Sequence, residues 1–358
     1  MGSAAVYHLA KRGARVLGID RFHPPHAFGS SHGQTRIIRE AYFEHPAYVP
    51  LVQRAYVLWD ELAPQTGTQL FMQTGGLMIG APQSAVVAGA RLSAETHRLP
   101  FEVLSAEEIH RRFPALRPAE EMIGILEPRA GILFPEKCIA AHLDHATGAE
   151  LNFHEQVARW EIQGGEVQVV TDKDTYACSH LVLSAGSWLK QLVPELPLVV
   201  ERQVLFWFGS SDPELFRPHR CPIHLWEHSP DKYFYGFPDV GNGVKVAGHH
   251  EGEITDPDKI NRTVSPQEIK GMQQLVLPFV PALTGPCLES VVCMYTNTPD
   301  GHFLIDRHPS QPQVLLVSPC SGHGFKFSAA IGEVVADLVR DGRSRFDLSL
   351  FRFRDFPN

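Results

Sequence analysis

The sequence predicts an α/β fold in which a dinucleotide-binding domain is interrupted by a second, α+β domain built on an antiparallel sheet. Three observations carry that expectation. A helix, a glycine turn and an apolar strand ending in an acid follow one another between Gly2 and Asp20. An apolar run closing on Ala185-Gly186-Ser187-Trp188 has the form of a buried parallel strand, and short alternating stretches dominate residues 199–292.

Residues 3–12 place Ala5 and Leu9 at helical spacing, with Gly13 as a stop signal, and residues 15–20 read as a short buried strand. In dinucleotide folds an acid about 20 residues beyond the glycine fingerprint takes the ribose hydroxyls, and Asp20 stands at about that distance from Gly2. No strand or earlier glycines precede Gly2, so the expectation is a cut N-terminus lacking the first strand and part of the G-x-G-x-x-G turn. The segment Gly29-Ser30-Ser31-His32-Gly33-Gln34-Thr35-Arg36-Ile37-Ile38-Arg39 follows. Its small residues let backbone amides approach a phosphate or a ring edge, and Arg36 and Arg39 share a face if the segment is helical. One arginine could then face a cofactor and the other a substrate anion.

Residues 71–80 read as two strand pieces around a glycine kink, and 105–113 as an amphipathic helix opened by a Ser105/Glu108 capping box. Residues 127–195 return to a nucleotide-domain rhythm: a helix from Cys138 towards Ala146, a strand at 167–171, then the run 181–188 with its tight turn at Gly186. The stretches at 203–208, 232–238 and 244–247 read as an antiparallel sheet at one wall of a substrate cavity. Asp256-Pro257-Asp258 leads into a helical region at 266–276, and 328–340 forms the last long helix.

Composition narrows the function. At 358 residues, 44% hydrophobic and 20% charged, the chain suits one large or two joined globular domains. A net charge of -8 sets aside nucleic acid as a partner. Six scattered cysteines without a C-x-x-C pair set aside a zinc site and a disulfide framework, pointing to a reducing, cytoplasmic setting. No apolar run approaches the roughly 18 residues of a membrane span, no leader pattern opens the chain, and Phe356-Pro357-Asn358 is not a Ser-Lys-Leu address.

The chemistry-bearing residues lie mostly in the C-terminal half. Lys245 interrupts an apolar strand, Cys293 precedes the polar string Met294-Tyr295-Thr296-Asn297-Thr298-Pro299-Asp300, and Lys326 follows the pair Gly322 and Gly324. A thiolate is a suitable nucleophile towards an activated cofactor carbon, and a lone lysine in an apolar strand either points to solvent or is buried for a reason. Tyr235 and Tyr295 offer aromatic faces to an amine cation, and His249, preferred to His250 by its count from Lys245, could line the same cavity.

The strings at 29–39, 293–300, 302–309 and 321–327 resemble those of the monomeric sarcosine oxidase family, which includes N-methyltryptophan oxidase and sarcosine/pipecolate oxidase, within the D-amino acid oxidase group. The resemblance implies a Rossmann-like FAD-binding domain from residues 1–71, 127–195 and 294–358, and a substrate domain from 72–126 and 196–293. It implies a covalent flavin link at Cys293, an oxygen-activating Lys245 and an Arg36 charge beneath the flavin. Arg39 and Lys326 would hold the substrate carboxylate, with Lys326 also at the flavin edge, while Tyr235, His249 and Tyr295 line the pocket. Gly2, Asp20, Ser30, His32, Thr35, Arg36, Ile37, Val157, Gly186, Trp188, Gly322, Gly324, Phe325 and Lys326 complete the FAD contacts.

The reaction so implied is oxidation of a secondary amino acid to an imine, with O2 reduced to hydrogen peroxide, by a monomeric enzyme without a metal site. Gln34 replaces the acid expected in the sarcosine-oxidase version of its loop, which leaves N-methyl aromatic and pipecolate-like substrates open. The alternatives are a flavin dehydrogenase of the same fold using another electron acceptor, and a truncated, non-catalytic chain.

Overall fold

The computed structural model describes residues 1–354, so the C-terminal Phe356-Pro357-Asn358 lies outside the described residues. The helix Gly2–Lys11 feeds the strand Leu17–Asp20, as the periodicity predicts, and that strand pairs in parallel with Glu150–Phe153. Leu181–Leu183 pairs in parallel with Gln311–Ser318, which also pairs antiparallel with Leu304–His308. These elements form the Rossmann-like layer, but the parallel strands fall into two separate sheets that are not hydrogen-bonded to each other. The helix Gly2–Lys11 packs on the terminal helix Ser328–Asp341, burying Ala5 and Leu9 against Ile331 and Val335 in the largest apolar core.

The second layer is an eight-stranded sheet in the order Cys287–Asn297, Val199–Phe208, Val244–His249, Lys232–Gly236, Ile223–Ser229, Gly76–Gly80, Ile123–Glu127 and Glu102–Ser105. The expected antiparallel character holds at every pairing but one: Ile223–Ser229 runs parallel to Gly76–Gly80. The parallel step arises where the chain crosses between segments distant in sequence, which no local alternation can reveal.

Side-chain alternation divides the two faces of this sheet. Phe206, Phe208 and Val246 enter one core with Trp226 and Phe234, while Leu205, Trp207 and Ala247 gather on the other face with Cys293. Helices Ala106–Arg112 and Pro266–Val276 contribute Ile109 and Val276 to the former core. Each begins with a capping box, Ser105 with Glu108 and Ser265 with Glu268, of which the sequence reading found the first.

Two local expectations change. Arg36 and Arg39 are not on a helix: Arg36–Ile38 is a strand, hydrogen-bonded to Gly131–Leu133, and Arg39 follows its end. The β-branched pair Ile37-Ile38 suits that pairing. The helix expected from Cys138 begins earlier, as Pro135–Asp144, with the proline in its first turn, where the missing N–H costs nothing. A domain division after Cys293 falls inside the strand Cys287–Asn297, and one after Phe71 falls inside Phe71–Gln73.

Candidate active site

A cavity of about 1300 Å³ runs from the N-terminus of the helix Gly2–Lys11 to Lys326. Its first stretch lies between the strands Leu17–Asp20 and Leu181–Leu183, with the turn Ser184 to Trp188 at its side. Asp20, at the strand end, accepts a hydrogen bond from the Phe22 amide at 2.8 Å. Trp188 is held by its indole N–H, which donates to Asp258 at 2.9 Å.

The cavity then reaches the strand Cys287–Asn297. Cys293 pairs with Gln203 and Tyr295 with Glu201, so the two-residue period of a strand puts the thiol and the phenol on one face. Cys293 is buried, its Sγ 3.8 Å from the Arg36 guanidinium. Arg36 donates to the carbonyls of Ser30 at 2.7 Å and Thr35 at 2.8 Å, which fixes its charge beside the sulfur.

Lys245 is 1% exposed and lies behind this wall. Its ammonium donates to the Gly33 carbonyl at 2.7 Å, the Thr35 carbonyl at 2.9 Å and the Thr35 hydroxyl at 3.1 Å. The rings of Phe237 and Trp207 lie 4.9 and 5.2 Å from Nζ. Burial, then the Arg36 charge, hold its pKa well below the ordinary lysine value. Gly33 has a positive φ of 93°, and a Cβ there would run into Leu205, so glycine is required for the turn to sit over the lysine.

At the far end two buried cations face one carboxylate. Arg39 holds Glu44 through both oxygens at 2.7 and 2.8 Å, and its guanidinium lies over the Tyr42 and Phe43 rings. Lys326 donates to the His323 carbonyl at 2.6 Å and to the Tyr42 hydroxyl at 3.5 Å. Its pKa is lowered to about 7, by burial first and by Arg39 second, with Glu44 opposing. Burial raises the Glu44 carboxyl, but the charges of Arg39, His323 and Lys326 together with the Arg39 hydrogen bonds outweigh it, and the net shift is downward.

Tyr235, Tyr295 and His249 form the wall between these centres. His249 Nδ1 is 3.1 Å from the Tyr295 hydroxyl, and burial holds the imidazole pKa well below its usual range. Gly322, with φ of 76°, closes the wall: a Cβ there would meet the Tyr295 ring at 2.6 Å and His249 at 3.0 Å.

Of the residues singled out in the sequence, the structure brings Gly2, Asp20, Ser30, Arg36, Ile37, Arg39, Val157, Gly186, Trp188, Tyr235, His249, Cys293, Tyr295, Gly322, Gly324, Phe325 and Lys326 to one cavity. His32, Thr35 and Lys245 do not line it. Thr35 and Lys245 sit one layer behind, and His32 is buried with its Nε2 lacking a partner among the described residues. His250 does not line it either, whereas His249 does. Phe43, Glu44 and His323 line the site without having been anticipated. His323 lay within a quoted motif, whereas Phe43 and Glu44 reach the cavity only through folding of the loop after Arg39.

These residues fit FAD. The cavity exceeds the roughly 300–1,000 Å³ of most small-ligand sites, as a long cofactor with a small substrate at one end requires. A helix N-terminus for phosphate and a strand-end acid for ribose lie at one end, and a buried thiol beside an arginine farther along. Residues 1–338 match the family model described as FAD dependent oxidoreductase. The monomeric sarcosine oxidase of Streptomyces avermitilis is 45% identical, with 98% of this chain and 94% of that protein covered. The N-methyl-L-tryptophan oxidase of Yersinia pestis is 35% identical, with 99% and 96% covered. The fold is shared with glycine oxidase from Geobacillus kaustophilus, at a TM-score of 0.83, 19% identity and coverage of 100% and 96%. It is shared equally with L-proline dehydrogenase from P. horikoshii, at 0.84, 21% identity and coverage of 98% and 93%. The chain therefore belongs to the family of FAD-dependent oxidoreductases, in the branch of the monomeric sarcosine and N-methyl-L-tryptophan oxidases.

Proposed function

We propose that the chain oxidises a secondary amino acid, of the sarcosine, N-methyl amino acid or pipecolate type, to an imine, with O2 reduced to hydrogen peroxide. The observation that carries this reading is the pair of buried cations, Arg39 and Lys326, around Glu44 at the end of the cofactor cavity. Glu44 sets a carboxylate in that corner on two hydrogen bonds from Arg39, which supports its suitability for an acid group. A substrate carboxylate held there lies beside the aromatic faces of Tyr235 and Tyr295, which accommodate an amine. His249, kept neutral by burial, adds no positive charge beside it. The names of the relatives support the substrate class.

FAD, when bound, supplies the two-electron acceptor and the route to O2. Gly2, Asp20, Gly186 and Trp188 would hold its nucleotide end, and Arg36, Ile37, Cys293, Gly322, Gly324, Phe325 and Lys326 its ring, with Cys293 as the covalent link. Ser30, His32, Thr35 and Val157 complete this assignment, His32 and Thr35 from behind the cavity wall. The division into an FAD-binding domain (1–71, 127–195, 294–358) and a substrate domain (72–126, 196–293) belongs to the same reading. So do a monomeric state and a cytoplasmic setting, supported by the relatives' names and by six free cysteines. No helix of the described residues is long and apolar enough to cross a membrane.

The test is oxygen uptake and peroxide release with sarcosine, N-methyl-L-tryptophan and L-pipecolate, in the wild type and in Arg39→Ala. Losing a charge-assisted hydrogen bond of about 1.5–3 kcal/mol should raise KM by roughly 10- to 100-fold. An unchanged KM in Arg39→Ala for every substrate turned over would sink the carboxylate assignment.

Lys326 adds a pH dependence. Its pKa of about 7 in the ligand-free protein means the ammonium is present below that pH and lost above it. Binding of acetate to the flavin-loaded protein, followed by flavin absorbance, should be level below about pH 7. It should then weaken by up to tenfold per pH unit above. An affinity that stays level to pH 9 would remove Lys326 from the anion site.

A further inference from the structure

Glu127 ends the strand Ile123–Glu127 of the eight-stranded sheet and is 1% exposed. A carboxylate buried so deeply needs donors for its oxygens. It finds them in two consecutive amides: Glu40 N–H donates to both oxygens at 2.8 and 2.9 Å, and Ala41 N–H donates to one of them at 2.7 Å. The strand Arg36–Ile38 has already ended, so its ladder supplies no acceptor for these groups. Ala41 is held from a second side, because its carbonyl accepts a hydrogen bond from the Arg39 guanidinium at 3.0 Å. Farther along the same turn the buried Ser93 hydroxyl donates to the Tyr42 carbonyl at 2.5 Å.

We propose that Glu127 is a positioning residue for the substrate-carboxylate site, clamping the two amides after Arg39 so that the guanidinium folds back over Ala41 and faces the cavity. This rests on the reading of Arg39 as the carboxylate ligand. Glu127 does not line the cavity and acts through Arg39. Two different sheets meet at this clamp, so the geometry of the anion corner is set by their relative seating.

Glu127→Gln keeps the size of the side chain but turns an NH2 group towards donors that need an acceptor. KM for sarcosine, or for whichever carboxylate substrate is turned over, should rise roughly fivefold to tenfold while kcat stays within about twofold. In an Arg39→Ala background the same substitution should have no further effect on KM, since the two act in series. Glu127→Asp, which keeps the carboxyl group but shortens the reach, should show the same KM-against-kcat split. Hydrogen exchange in the unaltered flavin-loaded protein should find the Glu40 and Ala41 amides as slow as those of the central strands. Exchange at the rate of an exposed loop would overturn the clamp, as would a wild-type KM in both Glu127 variants while Arg39→Ala raises KM. A KM effect of Glu127→Gln that persists undiminished without Arg39 would also overturn it. An unchanged KM in Arg39→Ala, by contrast, refutes the carboxylate reading itself.

Discussion

Replacing Cys293 with alanine moves the flavin from the acid-precipitated pellet to the supernatant. In the wild type the pellet stays yellow, because the proposed bond to the buried sulfur survives unfolding. The expectation rests on placement. Cys293 lies in a small apolar cluster with Leu205, Trp207 and Ala247, faces the cavity, and has the Arg36 guanidinium 3.8 Å from its sulfur. A sulfur that must react as a thiolate needs a cation nearby, and Arg36 is held there by two backbone carbonyls. The other cysteines do not offer this combination. Cys138, Cys221 and Cys287 do not line the cavity, and Cys178 and Cys320, which do, have no hydrogen bond from Arg36 among the described residues. Colour retained in the Cys293→Ala pellet would place the attachment elsewhere; colour lost from the wild-type pellet would show that the flavin is bound without a covalent link.

Substitution of Lys245 by methionine should slow reoxidation of the reduced protein by O2 by about 10²–10³-fold, the usual cost of removing one preorganised charge-stabilising donor. Anaerobic reduction by substrate should change only a few-fold. The two half-reactions, followed separately by stopped flow, distinguish an oxygen-activating lysine from a general loss of structure. Lys245 is withdrawn behind the turn Gly33 to Thr35, where burial lowers its pKa. A negative charge on the cavity side would restore the ammonium form, which links its charge to the state of the site. Because L-proline dehydrogenase shares this fold, the architecture alone does not choose the electron acceptor. Wild-type reoxidation in Lys245→Met would end the assignment. Slow reoxidation of the wild type, with rapid transfer to an artificial acceptor, would favour a dehydrogenase.

Sequence reading succeeded where the signal is local. The opening helix and strand to Asp20, the Ser105/Glu108 cap and the terminal helix Ser328–Asp341 all follow from periodicity and end signals within a few residues. Most of the cavity was legible too, because its residues cluster in strings of unusual composition. The failures involve partners distant in the chain. Whether Arg36 and Arg39 share a helical face is not legible locally, because nothing nearby reveals that residues 36–38 pair with 131–133. Nothing in the sequence marks Glu44 or Glu127; their partners are the Arg39 guanidinium and, for Glu127, amides 87 and 86 positions away. Lys245 stands out in the sequence as a lysine in an apolar strand, and it is buried there, but its place behind the cavity wall is set by the turn at Gly33, which no spacing rule encodes.

The pairing of Cys287–Asn297 with Val199–Phe208 carries one more consequence. Its register runs from Val199 opposite Asn297 to a bulge between Trp207 and Phe208. A slip of a single residue would turn the thiol to the opposite face of the sheet and carry Tyr295 away with it. The proposed tether at Cys293 would therefore act as a proofreading mark: only chains whose edge strand has docked in the correct alignment could become permanently coloured. The ratio of bound colour to protein in a denatured sample would record, after the structure itself is gone, what fraction of the molecules had folded in register.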